Sequence, residues 1–306
     1  MMILSLVAFL AAGPAHALVD TPVPIHLILI DTRTTFKLGP LPWPRDRHAK
    51  MVEMLSEAGA RAIALRFYYR DSRSDEGDRR LVEAVRKSGR VFIEIGKTAD
   101  PESWQPDTAW MKTMALKTSG APPRGADSLT SRIAGAFLKS PALLSIQNAQ
   151  LPFQDLARAV KGIGSIDVIV DSDKKLKAIP LLIRYKGEIF PSLGMRLFLA
   201  VSGLDAEPLV FEDKESMILG GKKIKLDQYG CILVNLSSPG SGYQTHSFVD
   251  VMEGKVSPRK FKDAIVIVGA SAPDLDVETA TGPKNGLELV ADQMATLFSF
   301  TGKAGR

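Results

Sequence analysis

Cysteine is almost missing from this chain: Cys231 is the only one in 306 residues. No internal disulfide can form, so the fold has to rest on buried apolar surface rather than on covalent staples. Cys231 lies in the apolar run CILVNL, where a thiol reads as a small buried hydrophobe rather than a nucleophile. Long hydrophobic runs are scarce too. Past the first dozen residues every apolar stretch is broken by Arg, Gly or Asp, short of the roughly 20 residues that span a bilayer. Charge of one sign is not concentrated: the net charge is only +5, and Lys222, Lys223 and Lys225 read as a solvated turn. No nucleic-acid partner is expected. Repeats, low-complexity tracts and linker-like breaks are absent, which predicts one continuous body.

The motifs of common chemistries are missing in the same way. Gly96-Lys97-Thr98 follows an apolar run, but a phosphate loop needs a glycine where Val91 stands. Ser237–Tyr243, SSPGSGY, has no serine flanked by glycines at nucleophile-elbow spacing and reads as a flexible loop. His26, His48 and His246 show no metal-ligand spacing, so no zinc site is expected. The acidic turn Asp171–Lys175, DSDKK, lacks the glycine and distal glutamate of a calcium loop. Neither cofactor, metal nor catalytic residue is predicted.

What is present begins with Met1–Ala17, MMILSLVAFLAAGPAHA. Its short apolar core and Ala15-His16-Ala17 match a signal-peptidase site. No Lys or Arg precedes the core, so either the true start lies upstream or these residues end a longer membrane helix. Both readings predict a periplasmic or other extracytoplasmic location, with a cleaved signal or one N-terminal anchor.

Ile25–Ile30 reads as a buried strand. Leu38–Arg45, LGPLPWPR, with its three prolines, reads as a rigid extended corner. The stripe Met51, Met54, Leu55, Ala58 predicts a helix stopped by Gly59. Ala62–Tyr69 and Val91–Ile95 read as strands, separated by a helix over Asp78–Ser88 that ends at Gly89. This alternation predicts parallel pairing. Residues 98–144, rich in proline, read as an irregular insertion pinned by Trp104 and Trp110, a lid or contact surface in function. Beyond it a helix over Leu151–Val160 is expected to stop at Gly162. Ser165–Val170 and Ile179–Tyr185 are expected to form a hairpin. Ser192–Val201, apolar nearly all round, predicts a helix buried on several sides. Met217–Leu226 and Ile232–Leu236 are expected to pair through Asp227–Gly230. Phe248–Met252 reads as helical, Ala264–Gly269 as a strand, and Leu287, Val290, Met294 and Leu297 as the stripe of a last helix. The fold class is α/β: a single domain around a mixed, partly parallel sheet, with flanking helices and the insertion.

Ligands of α/β folds gather at the carboxyl edge of the sheet. AIVIVGAS (264–271) ends there, with Gly269 expected to turn the chain and Ser271 beside it. Asp31 and Arg66 also fall at strand ends and could pair with each other or face a ligand. These four are the candidate ligand-binding residues.

Several longer stretches resemble a known family. They are LPWPRDRHAKMVEMLSEAGARAIAL, RLVEAVRKSGRVFIEI, IPLLIRYKGEIFPSLGMRLFLAVSGL, IKLDQYGCILVNL and HSFVDVMEGKVSPRKFKDAIVIVGASAPDLD with GLELVADQMATLF. In order and spacing they resemble the type-two CHASE domain, a bacterial extracytoplasmic sensory domain associated with cyclases and histidine kinases. The resemblance implies ligand sensing without catalysis, an unidentified small-molecule ligand and a membrane-bound cyclase or kinase as output. It carries over no catalytic or binding residue. Arg66 stands where the family commonly has aspartate, and Val290-Ala291-Asp292 where it usually has His-Ala-Asn. No output module follows within this sequence, so a free-standing sensor, a truncated product or one part of a split receptor is expected. Two other readings are a structural module of a membrane-associated complex and a hydrolase using the Gly269–Ser271 loop.

Overall fold

The computed structural model describes residues 21–73, 75–119, 142–239, 242–271 and 275–301. The segment Met1–Ala17 and residues 120–141 of the insertion lie outside them. A six-stranded sheet runs through the centre. Its strands are β1 (Ile25–Ile30), β2 (Ala62–Arg66), β3 (Val91–Ile95), β4 (Gly162–Ser165), β5 (Gln244–Ser247) and β6 (Ile265–Ala270). The order across the sheet is β5-β1-β6-β2-β3-β4, and every neighbouring pair is parallel. The antiparallel pairs occupy small separate sheets.

Alternation along the central strands divides the interior into two layers. Ile28, Ile30, Val266, Val268, Ile63 and Leu65 face one core, built with helices α1 (Thr32–Leu38), α2 (Asp46–Glu57) and α3 (Glu76–Ser88) on that side. Further along the chain α4 (Thr108–Met114), α5 (Gln154–Ala159) and α7 (Phe248–Met252) join it. Ile25, Leu27, Ile265, Ile267, Ala62 and Ala64 face the second core, closed by α6 (Leu193–Ser202) and α8 (Gly286–Thr301). Helix α6 is buried almost all round, as its composition predicts.

The proline-rich corner leads into a packed knot. Trp43 donates from Nε1 to the Gly39 carbonyl at 2.8 Å, and the Leu41–Pro42 peptide is cis. Arg45 is buried, donates to the Asp78 carboxylate and the Asp71 carbonyl, and stacks over Phe153. Next to it His48 Nδ1 meets the Tyr69 hydroxyl at 2.7 Å and the ring stacks on Phe67. These aromatic contacts explain why β2 ends at Arg66: Phe67 and Tyr69 leave the ladder to pack around His48.

Three other expectations are corrected. Gly162 does not stop a helix; it opens β4, an edge strand of the main sheet. A Cβ on Gly164 would fall on the Leu193 backbone, 2.6 Å from its nitrogen, so glycine is what lets α6 seat against this strand. The run Ile179–Tyr185 is two strands, Leu176–Pro180 and Leu182–Tyr185, the second paired with Glu188–Pro191. The expected turn at Asp171–Lys175 does join Ile169–Val170 to Leu176–Pro180. Ser216–Leu219 pairs with Lys222–Lys225, because Gly220 and Gly221 take the positive φ a two-residue turn needs. Cys231–Ile232 therefore pairs elsewhere, with Ile179–Pro180. Burial first, then Asp227, pushes the Cys231 thiol up to about 12, in keeping with an inert apolar role.

Part of the insertion is ordered. Trp110 and Trp104 lie edge to face at 5.2 Å and donate to the carbonyls of Ala157 and Pro152, which pins α4 beside α5. Residues 120–141 lie outside the described residues.

The fold also joins histidines the sequence keeps far apart. His26 on β1 and His246 on β5 meet Nδ1 to Nε2 at 3.0 Å, with Phe261 edge-on to both rings. Their planes lie within 12° and their centroids are 5.3 Å apart. That is the separation of two imidazoles joined edge to edge by one shared proton. Among the described residues no group of three or more metal-ligating side chains forms.

Replacing Gly164 by alanine is expected to cost more than about 3 kcal/mol in urea denaturation, because backbone has to move. Gly89→Ala, at φ +61° with nothing near the added Cβ, is expected to cost about 1 kcal/mol. A second expectation concerns acid. Burial, then His246 and Lys260, brings His26 down to about 4; burial, then Arg45 and Arg73, brings His48 down to about 4. Above pH 6.5 both are neutral in folded and unfolded chains alike. Below it the unfolded chain binds protons that the native one does not, so the Tm is expected to fall from pH 6.5 towards 4. A His26→Gln, His48→Gln variant is expected to flatten that slope.

Candidate functional site

The carboxyl edge of the sheet is where the candidate residues meet. Leu29, Gly269 and Arg66 stand in one row across β1, β6 and β2, and Ile30 and Ala270 in the next. Asp31 and Ser271 follow, and the Ser271 amide donates to the Ile30 carbonyl at 3.2 Å. The four residues are thus brought together. Because β6 lies between them, however, the ends of β1 and β2 are about 10 Å apart, and Asp31 and Arg66 do not pair.

Each has a local partner instead. Asp31 caps α1: its Oδ1 accepts from the Thr34 amide at 2.8 Å and the Ser247 hydroxyl at 3.0 Å. Burial would raise this carboxyl, but the hydrogen bonds from Thr34 and Ser247 outweigh it and hold the group below its usual value. Arg66 donates from Nε to Glu94 Oε2 at 2.8 Å, and Glu94 is 4% exposed. Burial raises the Glu94 carboxyl and Arg66 counters it. The charge at Arg66 is therefore answered by an acid on the next strand. VFIEI carried the signal, since a lone glutamate inside an apolar strand needs a partner.

Gly269 does not turn the chain. It lies inside β6, and a Cβ there would sit 2.9 Å from Arg66 Cβ and 3.0 Å from Leu287 Cδ1. Its smallness lets the Arg66 stem and the first turn of α8 approach. Gly286 serves the same contact, because a Cβ on it would collide with the Arg66 guanidinium. Asn285 and Glu288 form a capping box at this helix start: Asn285 Oδ1 accepts from the amides of Leu287 and Glu288, both at 3.0 Å.

The connections diverge here. The chain leaving β1 enters α1 and α2 on one face, whereas the chain leaving β6 enters α8 on the other. Adjacent parallel strands whose helices go to opposite faces leave a crevice at their carboxyl ends. Asp31 and Ser271 flank it.

Sequence reasoning missed a second polar cluster. SSPGSGY is not a free loop at its ends, since Ser237 and Tyr243 are buried. Lys284, fully buried, donates to Asp292 Oδ2 at 2.5 Å, to Ser237 Oγ at 2.6 Å and to the Ser237 carbonyl at 2.8 Å. Asp292 Oδ1 accepts from Ser237 Oγ at 2.7 Å and the Tyr243 hydroxyl at 2.8 Å. All three ammonium protons are used, so the cluster ties α8 to the preceding chain and offers no free donor. Asp292 beside the apolar stripe of this helix was the available signal.

Arg66→Met is expected to lower stability by about 3 kcal/mol, because Glu94 is left buried and unpaired. Arg66→Met with Glu94→Leu is expected to recover most of that loss, as read by urea denaturation.

Among the described residues no helix is long and apolar enough to cross a membrane. Searches of curated proteins and of solved structures find no match. A family model described as the CHASE2 domain matches residues 5–306. On that match, which takes in essentially the whole chain, the protein belongs to the CHASE2 family of extracellular sensory domains.

Proposed function

We propose that this chain is the sensing module of an extracytoplasmic receptor. It binds a small molecule at the crevice flanked by Asp31, Arg66, Gly269 and Ser271 and passes the signal to a membrane-bound cyclase or kinase. The observation that carries the reading is the reversal of connections at β1 and β6, the place where open parallel sheets take ligands. The family match favours a sensory over a catalytic role.

Signalling follows from differential affinity. A ligand that contacts both strand ends favours the arrangement in which α1 and α8 are held at their bound spacing, and the partner reads that shift in population. The energy available is the difference in affinity between the two arrangements.

A thermal-shift screen of the purified chain against small periplasmic metabolites tests this. A true ligand at a hundred times its Kd adds about 2.7 kcal/mol. That gain is expected to vanish in Ser271→Phe, which fills the crevice without removing a side-chain hydrogen bond. Stabilisation that survives Ser271→Phe would place the ligand elsewhere.

A further inference from the structure

A ladder that stops early lies on the α8 side of the molecule. Ile179 pairs with Ile232 and Pro180 with Cys231, antiparallel, and there the pairing ends. Beyond it Lys177–Ala178 and Leu233–Val234 diverge and line the two walls of a groove of about 770 Å³. Past Leu233 the opening continues into a second hollow of about 680 Å³, which shares Lys177, Ala178, Ile232 and Leu233 with the first.

The wall formed by residues 233–237 has the hydrogen-bond pattern of an extended strand bound on one edge only. The Asn235 amide donates to Thr296 Oγ1 at 3.0 Å and the Ser237 amide to Asp292 Oδ2 at 3.3 Å, both on α8. In an extended chain successive N–H groups point to opposite sides. Those of Val234 and Leu236 therefore point away from α8, and neither makes a hydrogen bond among the described residues. Leu233 is 88% exposed, an unusual state for a leucine beside an open strand edge. Among the described residues Lys177 is the only charged one lining the first groove.

We infer that this groove is a docking site for an extended peptide segment of a partner protein, which adds as a strand along Val234–Leu236 and carries an acidic side chain towards Lys177. The open amides supply main-chain hydrogen bonds, Leu233 and Ile179 take alternate apolar side chains, and Lys177 sets the charge preference. The groove lies beside Ala295–Ser299, about 15–20 Å along α8 from its start at the crevice. One rigid helix thus links the proposed ligand site to this surface, but strand addition here does not depend on a ligand binding there.

The test selects a displayed library of random twelve-residue peptides on the intact chain and measures the selected peptides by fluorescence anisotropy. Selected peptides are expected to alternate apolar residues and to carry Asp or Glu. Val234→Pro, which removes an open donor and no existing hydrogen bond, is expected to weaken them at least tenfold. Lys177→Glu is expected to weaken the acidic peptides several-fold and spare versions with Gln or Asn. Should Val234→Pro fail to fold, methylation of the peptide's own amides decides: one alternate set abolishes binding and the other leaves it. Failure to select any peptide, binding insensitive to all these changes, or a concentration-dependent dimer dissolved by Val234→Pro would overturn the proposal, the last in favour of strand exchange between copies.

Discussion

Strand β6 is paired along its length on both edges, to β1 on one side and β2 on the other, although it comes some two hundred residues after them. Everything else in the molecule is arranged around that placement. The N-terminal strand-helix-strand unit cannot close its sheet alone, because the slot between β1 and β2 is filled only by residues 265–270. Pairing of such long sequence separation costs much chain entropy before it returns any contact energy. The reward is a central strand with side chains buried on both faces, joining the two cores into one body.

The same placement creates the reversal of connections at the carboxyl edge. With β6 inserted, helices leave adjacent strands in opposite directions, and Asp31, Arg66 and Ser271 come to one edge of the sheet. The polar groups there are already engaged: Asp31 by Thr34 and Ser247, Arg66 by Glu94. If the proposed ligand binds here, it meets side chains that are already held in place. Helix α8 starts at that edge and runs, anchored by the buried Lys284–Asp292 pair, towards the groove beside Leu233. Its ion pair is costly to desolvate, and its value lies in fixing the helix position rather than in net stability.

Small residues govern how closely the layers approach. Gly164 admits the first turn of α6, Gly194 admits Gln293 of α8, and Gly269 admits Arg66 and Leu287. Sequence periodicity alone reads such glycines as breaks, so Gly162 reads as the stop of a helix rather than the opening of a strand. Where apolar residues repeat with a clean period, as in Ile25–Ile30, Val91–Ile95 and the stripes of α2, α3 and α8, the elements were legible to within a residue or two. Legibility failed at the satellite hairpins. There a Gly-Gly turn and an Asp-Gln-Tyr-Gly turn compete, and only packing selects which strands pair.

By itself the sequence determined the α/β class, the buried thiol, the capping and stopping of the long helices and the presence of Asp31, Arg66 and Ser271 at strand ends. These are local matters, set by periodicity, by glycine and proline stereochemistry and by side-chain hydrogen bonds within a few residues. Tertiary structure alone decided that Arg66 turns to Glu94 and not to Asp31, that His26 meets His246, that Ser237 and Tyr243 converge on Asp292, and that Ile232 pairs with Ile179. Those outcomes depend on which strands lie side by side. The order of strands is fixed by closing a common core rather than by any residue's own preference.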